Sequence, residues 1–137
     1  MRWNSTAVIA GFVLLGLIAA ACAAPAPAPA TTVGYVDVTP AEAKALIEEN
    51  PDLIVIDVSP VYARGHLPGA VNYPIGDGSL DKAIPTLDTG AEYLVYCHSD
   101  SASIAGAQRL IDAGFETVYR LEGNYAAWVD AGYPVES

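Results

Sequence analysis

Apolar runs and polar turns alternate along the chain after residue 32 and divide it into short strand-like and helix-like pieces. Val33 to Val38 reads as a short strand. Thr39, Pro40 and Glu42 then make a capping box with proline at the first helical position, which predicts a helix to about Asn50, stopped by Pro51. Leu53 to Ile56 is a continuous apolar run, the mark of a strand buried on both faces, and Asp57 ends it. Pro60 to Arg64 fits a single helical turn, and Gly65, His66, Leu67, Pro68 and Gly69 a tight loop into a short strand from Ala70 to Tyr73. Gly76 to Gly78 mark a turn, and Ser79 to Ile84 a short helix ending near Pro85. Tyr93 to Tyr96 reads as a second buried strand, Cys97 to Ala102 as a polar turn, and Ser103 to Ala113 as a helix with Ile104, Ala107 and Leu110 on one face and Gly114 as its stop. Thr117 to Leu121 is the last strand; Gly123 and Asn124 turn the chain into a closing helix around Trp128, ended by Gly132 and Pro134.

Strands alternating with helices predict an α/β domain: a parallel sheet of about five short strands flanked by helices on both faces. Such sheets bind ligands at the carboxyl ends of their strands, and Cys97 stands at such an end. The loop from Cys97 to Ala102 would set several backbone N–H groups and a helix start around one sulfur, a nest that favours thiolate, persulfide or a bound oxyanion. Ser99, Ser101 and Ser103 can add hydroxyl donors. A cysteine after a strand fits an inert buried thiol equally well on spacing alone.

The N-terminal residues read as targeting. Arg2 precedes an apolar run from Ala7 to Ala21 that closes on three alanines, the form of an export signal. Cys22 after those alanines resembles the lipobox of bacterial lipoproteins, in which the cysteine is lipidated, although Ala19 stands where leucine is usual. Proline alternates with alanine from Ala24 to Ala30, which favours an extended spacer. The division expected is therefore 1–22 export signal and membrane anchor, 23–32 linker, and 33–137 domain, held in the cell envelope on the outer face of the cytoplasmic membrane, or secreted or periplasmic if cleaved without lipid. At 137 residues the chain has room for one such domain. Its net charge of −10 argues against nucleic-acid binding, because the basic residues Lys44, Arg64, Lys82, Arg109 and Arg120 are well separated in sequence.

In the domain, several stretches together resemble the rhodanese family: the strand ending in Asp57; Tyr62 and then Gly65, His66, Leu67, Pro68, Gly69 and Ala70; Tyr96 and Cys97 before the loop; and Leu121, Glu122 and Gly123 ahead of Trp128, Ala131, Gly132, Tyr133 and Pro134. The resemblance runs from about Val36 to Val135. It implies a single-domain rhodanese-like fold and a sulfurtransferase or persulfide carrier, whose Cys97 takes a sulfane sulfur from a small donor anion and passes it to a thiol or other nucleophile. The loop His98, Ser99, Asp100, Ser101, Ala102 and Ser103 would bind the donor, with Asp57, Arg64 and His66 in support. The resemblance implies no metal and no organic cofactor.

The loop also departs from the family. His98 and Ala102 stand where arginines are common, Asp100 where glycine is frequent, and Asn124 where a second glycine is frequent, a place asparagine tolerates because it accepts left-handed backbone angles. A carboxylate about 6 Å from the sulfur at an effective dielectric near 20 would cost thiolate about 3 kcal/mol. A helix N-terminus returns only about 0.3–1 kcal/mol, so the direction of Asp100 decides the reactivity expected of Cys97. The alternative is a catalytically weak or inactive binding or sensing module. A phosphatase would need an arginine at the end of the loop, where Ala102 and Ser103 stand. His66 reads as architectural, Asp57 as a strand end or a loop organiser, and Tyr125 and Trp128 as packing residues.

Overall fold

The computed structural model describes residues 34–137. The expected export signal, Cys22 and the expected alanine-proline linker lie outside the described residues. Five strands, β1 Val36–Val38, β2 Ile54–Asp57, β3 Val71–Asn72, β4 Glu92–Tyr96 and β5 Thr117–Leu121, form one sheet in the order β1-β5-β4-β2-β3, every pair parallel. Helices α1 Pro40–Glu49 and α4 Asn124–Asp130 cover one face; α2 Ser79–Ala83 and α3 Asp100–Asp112 cover the other.

Local chemistry starts these elements and burial fixes them. Thr39 caps α1 reciprocally: the Glu42 amide donates to Thr39 Oγ1 at 3.3 Å, and the Thr39 amide donates to Glu42 Oε2 at 2.8 Å. In central β4 the two-residue period sends Tyr93 and Val95, with Cys97 just beyond, toward α3, and Leu94 and Tyr96 toward Trp128 and Leu121. All but Cys97 and Trp128, each at 2%, are completely inaccessible. Burying each large apolar side chain stabilises the fold by about 1.5–3 kcal/mol, so the strand that presents the thiol is the most firmly held part of the sheet.

Gly106 lets α3 lie close on the sheet. A Cβ there would come within 3.1 Å of one Val58 methyl, 3.3 Å of the other and 3.4 Å of Val95. Opposite it, Val58 is fully buried and its amide donates to the Tyr96 carbonyl at 3.0 Å.

Apart from small shifts at element ends, the elements follow the sequence pattern with four differences, the first being that β1 starts only at Val36, with Gly34 and Tyr35 outside it. Helix α3 begins at Asp100 rather than Ser103, so the polar turn shrinks to Cys97–Ser99. Ile104 is 42% exposed, and the buried stripe of α3 is Ser103, Gly106, Ala107 and Leu110. The small residues of that stripe let the helix approach the sheet closely, and Ile104 is turned off it. The third strand shortens to Val71–Asn72, because Tyr73 pairs only as a single donor to the Asp57 carbonyl.

Candidate active site

After β2 the chain leads toward β3, whereas α3 after β4 leads to β5 on the other side. The connections therefore diverge at the carboxyl ends of β2 and β4, where open parallel sheets keep a crevice. Cys97 follows β4 at this point and lines a cavity of about 360 Å³ together with Ser99 and Ala102. The thiol is only 2% exposed, so it reaches solvent through that cavity rather than from the outer surface. Ser99 Oγ is 3.9 Å from Cys97 Sγ, at the limit of a weak hydrogen bond to sulfur.

The loop amides divide into two sets. The amide of Cys97 itself is engaged: it donates to Asn124 Oδ1 at 3.1 Å. The amides of Ser99, Asp100, Ser101 and Ala102 belong to the cap and first turn of α3, which have no acceptor inside their own helix. Four donors and the positive end of α3 thus follow directly after the cysteine, at the start of the helix that reaches the cavity through Ala102. No side-chain cap from Ser99 competes for them.

Asp100 points away from the role of a repelling charge. Its Oδ1 accepts from Asn124 Nδ2 at 2.7 Å and from Arg120 Nη1 at 3.2 Å. Arg120, on β5, is held by Asp37 of β1 through a 2.6 Å bond from Nε to Oδ1, and Nη1 also donates to Ser103 Oγ at 3.3 Å. The Asp37 hydrogen bond, aided by its charge and by Asp100, raises the Arg120 pKa above the ordinary value against the effect of burial. Arg120 stays a cation under the loop and offsets the Asp100 charge.

The remaining predicted residues fall in separate places. His98 is exposed and stacks on Tyr125, ring centroids 4.3 Å apart. Ser101 is exposed in the first turn of α3. Ser103 is buried, and its hydroxyl donates to the Asp100 carbonyl at 3.0 Å. Asp57, fully buried, accepts from the Ser59 amide at 2.7 Å and the Tyr96 hydroxyl at 3.2 Å, so it organises the end of β2 beside the cavity. Burial, and to a lesser degree the Asp57 charge, hold the Tyr96 hydroxyl protonated well above the usual phenol range, opposed by its bond from the Leu67 amide. His66 stacks on Tyr62 at 3.7 Å and exchanges both backbone hydrogen bonds with Glu136; its place is architectural. Arg64 is exposed, next to Gly65, and does not line the cavity.

Sequence reading missed Arg120 and Asp37 and gave Asn124 only a backbone role. One signal was available: in β5 Arg120 shares the buried face with Val118, and an arginine turned inward in a strand calls for a partner.

Similarity to known proteins agrees with the architecture. Residues 39–131 match the family described as "Rhodanese-like domain". The chain is 31% identical over 99 residues to the thiosulfate sulfurtransferase GlpE of Pseudomonas fluorescens, covering 72% of this chain and 88% of that protein. The crystal structure of the Alr3790 protein from Anabaena superposes with a TM-score of 0.67 at 31% identity, over 73% of this chain and 82% of that one. The polysulfide-sulfur transferase homodimer of Wolinella succinogenes gives a TM-score of 0.63 at 25% identity, over 74% and 78%. With a family match across most of the domain and a close structural match at 31% identity, this chain belongs to the rhodanese-like domain family.

Proposed function

We propose that the domain is a sulfur carrier in which Cys97 accepts a sulfane sulfur as a persulfide and hands it to a thiol or another nucleophile. The observation that carries this reading is the position of Cys97: on a cavity, at the end of the central strand, two residues before the N-cap of α3, whose first amides have no acceptor in their own helix. Cys97 Sγ, as thiolate, attacks the outer sulfur of a donor; the donor's S–S bond breaks and its electron pair leaves with the inner group. The amides of Ser99 to Ala102 stabilise negative charge on the sulfur that remains, and Arg120 keeps Asp100 from opposing it. An acceptor thiolate then takes the outer sulfur and regenerates Cys97. Intact-mass analysis after exposure to sulfane donors should show one added sulfur, absent in Cys97→Ser. No added sulfur from any donor, in a folded sample, refutes the reading.

A second reading, a binding or sensing module, is favoured by Ala102 and by the engagement of the Cys97 amide with Asn124. Under it, Cys97→Ser preserves partner binding. In either case we place the domain outside the cytoplasmic membrane, tethered by lipid on Cys22, on the strength of the N-terminal sequence. Labelling with a radioactive fatty acid in a bacterial host, lost in Cys22→Ala, tests this.

A further inference from the structure

Apart from Cys97, Ser99, Gly76 and Asp77, the wall of the cavity is apolar: Val58, Pro60, Pro74, Ile75 and Ala102. Its one charged residue is an acid, Asp77. The Asp77 carboxylate accepts from the Ser79 amide at 2.8 Å, and the Ser79 hydroxyl and amide, together with the charge of Lys82, keep its pKa below the ordinary aspartate value. It is therefore ionised at neutral pH. Among the described residues no lysine, arginine or histidine lines the cavity. Arg109 is paired with Asp81 at 2.7 Å, and Arg120 is committed to Asp37 and Asp100.

A donor such as thiosulfate brings two negative charges, one of them on a sulfonate group that must sit away from the thiol, against proline and isoleucine, with the exposed Asp77 carboxylate at the edge. The α3 amides stand at the end of the cavity that Cys97, Ser99 and Ala102 line, and the rest of the wall supplies no cation. A donor whose only ionisable atom is the transferred sulfur fits both halves of the site. The space holds on the order of ten waters, enough for a side group the size of benzyl.

We infer that the cavity selects an organic persulfide, R–S–SH, with a compact uncharged apolar R, over dianionic donors. The inference rests on the sulfur-carrier reading and names its donor class. Cys97 Sγ⁻ attacks the outer sulfur, the new Sγ–S bond forms as the bond to the inner sulfur breaks, and the electron pair departs on R–S⁻. The proton stays on the transferred sulfur as Cys97–S–SH until solvent removes it. One thiolate is consumed and one released, so no oxidant is needed.

The test loads the full chain in parallel with benzyl persulfide, glutathione persulfide and thiosulfate, and follows the added sulfur on Cys97 by mass. Each rate is divided by that of the same donor with N-acetylcysteine, which removes the donors' intrinsic differences. Benzyl persulfide is expected to load at least tenfold faster than either charged donor on this scale. Ala102→Arg, which returns a cation to the wall, should raise thiosulfate loading at least tenfold relative to benzyl persulfide. Equal or faster loading by glutathione persulfide or thiosulfate overturns the selectivity and leaves the sulfur-carrier reading standing. Failure of all three donors with folded wild-type chain overturns that reading, and the inference with it.

Discussion

The side chain of Asn124 accepts the amide hydrogen of Cys97 at 3.1 Å and donates to the Asp100 carboxylate at 2.7 Å, so one residue brackets the cysteine loop at both ends. It does so from a left-handed backbone, with φ of 56°. Asn124→Gly keeps that backbone and relieves its mild strain, but strips the partner from a buried amide. An unpaired buried donor costs about 1–3 kcal/mol, and relief of left-handed strain returns about 1 kcal/mol, so a net loss of about 1 kcal/mol is expected in urea denaturation. Asn124→Asp should lose more, because it sets a second carboxylate against Asp100. A glycine variant as stable as wild type would show that the bracket carries no weight.

Arg120 connects three strands' worth of chemistry: Asp37 on β1, its own β5, and the loop after β4. Arg120→Met should cost about 1–2 kcal/mol, below the 3–5 typical of a fully buried pair because both carboxylates are partly exposed. Freed from its cation, Asp100 then opposes thiolate formation, and iodoacetamide should alkylate Cys97 about tenfold more slowly at neutral pH. Adding Asp100→Ser should restore the rate without restoring the stability. Unchanged alkylation in the single variant would mean that the Asp100 charge does not reach the sulfur.

Gly65 couples the first sequence motif to the cysteine loop. A Cβ on it would lie 2.0 Å from the Tyr125 hydroxyl, and its φ of 146° is unfavourable to other residues. Gly65→Ala must displace Tyr125, whose ring carries His98, and a loss of about 2–3 kcal/mol is expected. Tyr125→Phe in the same chain should recover part of it, measured by thermal unfolding. No recovery would assign the whole cost to the backbone.

The capping box of α1 gives stability a dependence on pH. The Thr39 amide and hydroxyl hydrogen bonds hold the Glu42 pKa below its ordinary value of 4.5. A depressed folded value means that the contribution is fully present above 4.5 and is lost as pH falls through the lower, folded value. Glu42→Gln, which can still accept from Thr39, should melt lower than wild type at neutral pH and converge with it in acid. A constant difference in Tm across that window would exclude Glu42 as the titrating group.

Much of this fold is legible from local pattern. The capping box, the apolar runs of β2 and β4, and the glycine stops each act within a few residues, where sequence and geometry are tightly linked. The start of α3 is less legible because Asp100 and Ser101 read as turn residues: their short polar side chains compete with the backbone and are weak helix signals. The electrostatics of the site were less legible still. Asp100 looks like a lone negative charge beside a thiol until β5 brings Arg120 beneath it, and Arg120 is itself positioned by Asp37, 83 residues away in sequence. No window along the chain contains that triangle; it exists only once the strand order is known.

Val58 belongs at once to the floor of the cavity and to the seat on which Gly106 rests. Enlarging the chamber at that side chain would unseat the helix whose amides greet the incoming sulfur, and narrowing it would push the same helix outward. Variation in what the chamber admits is therefore steered to its outer rim, to Pro60, Pro74 and Ile75, where a side chain can change without moving the machinery behind it.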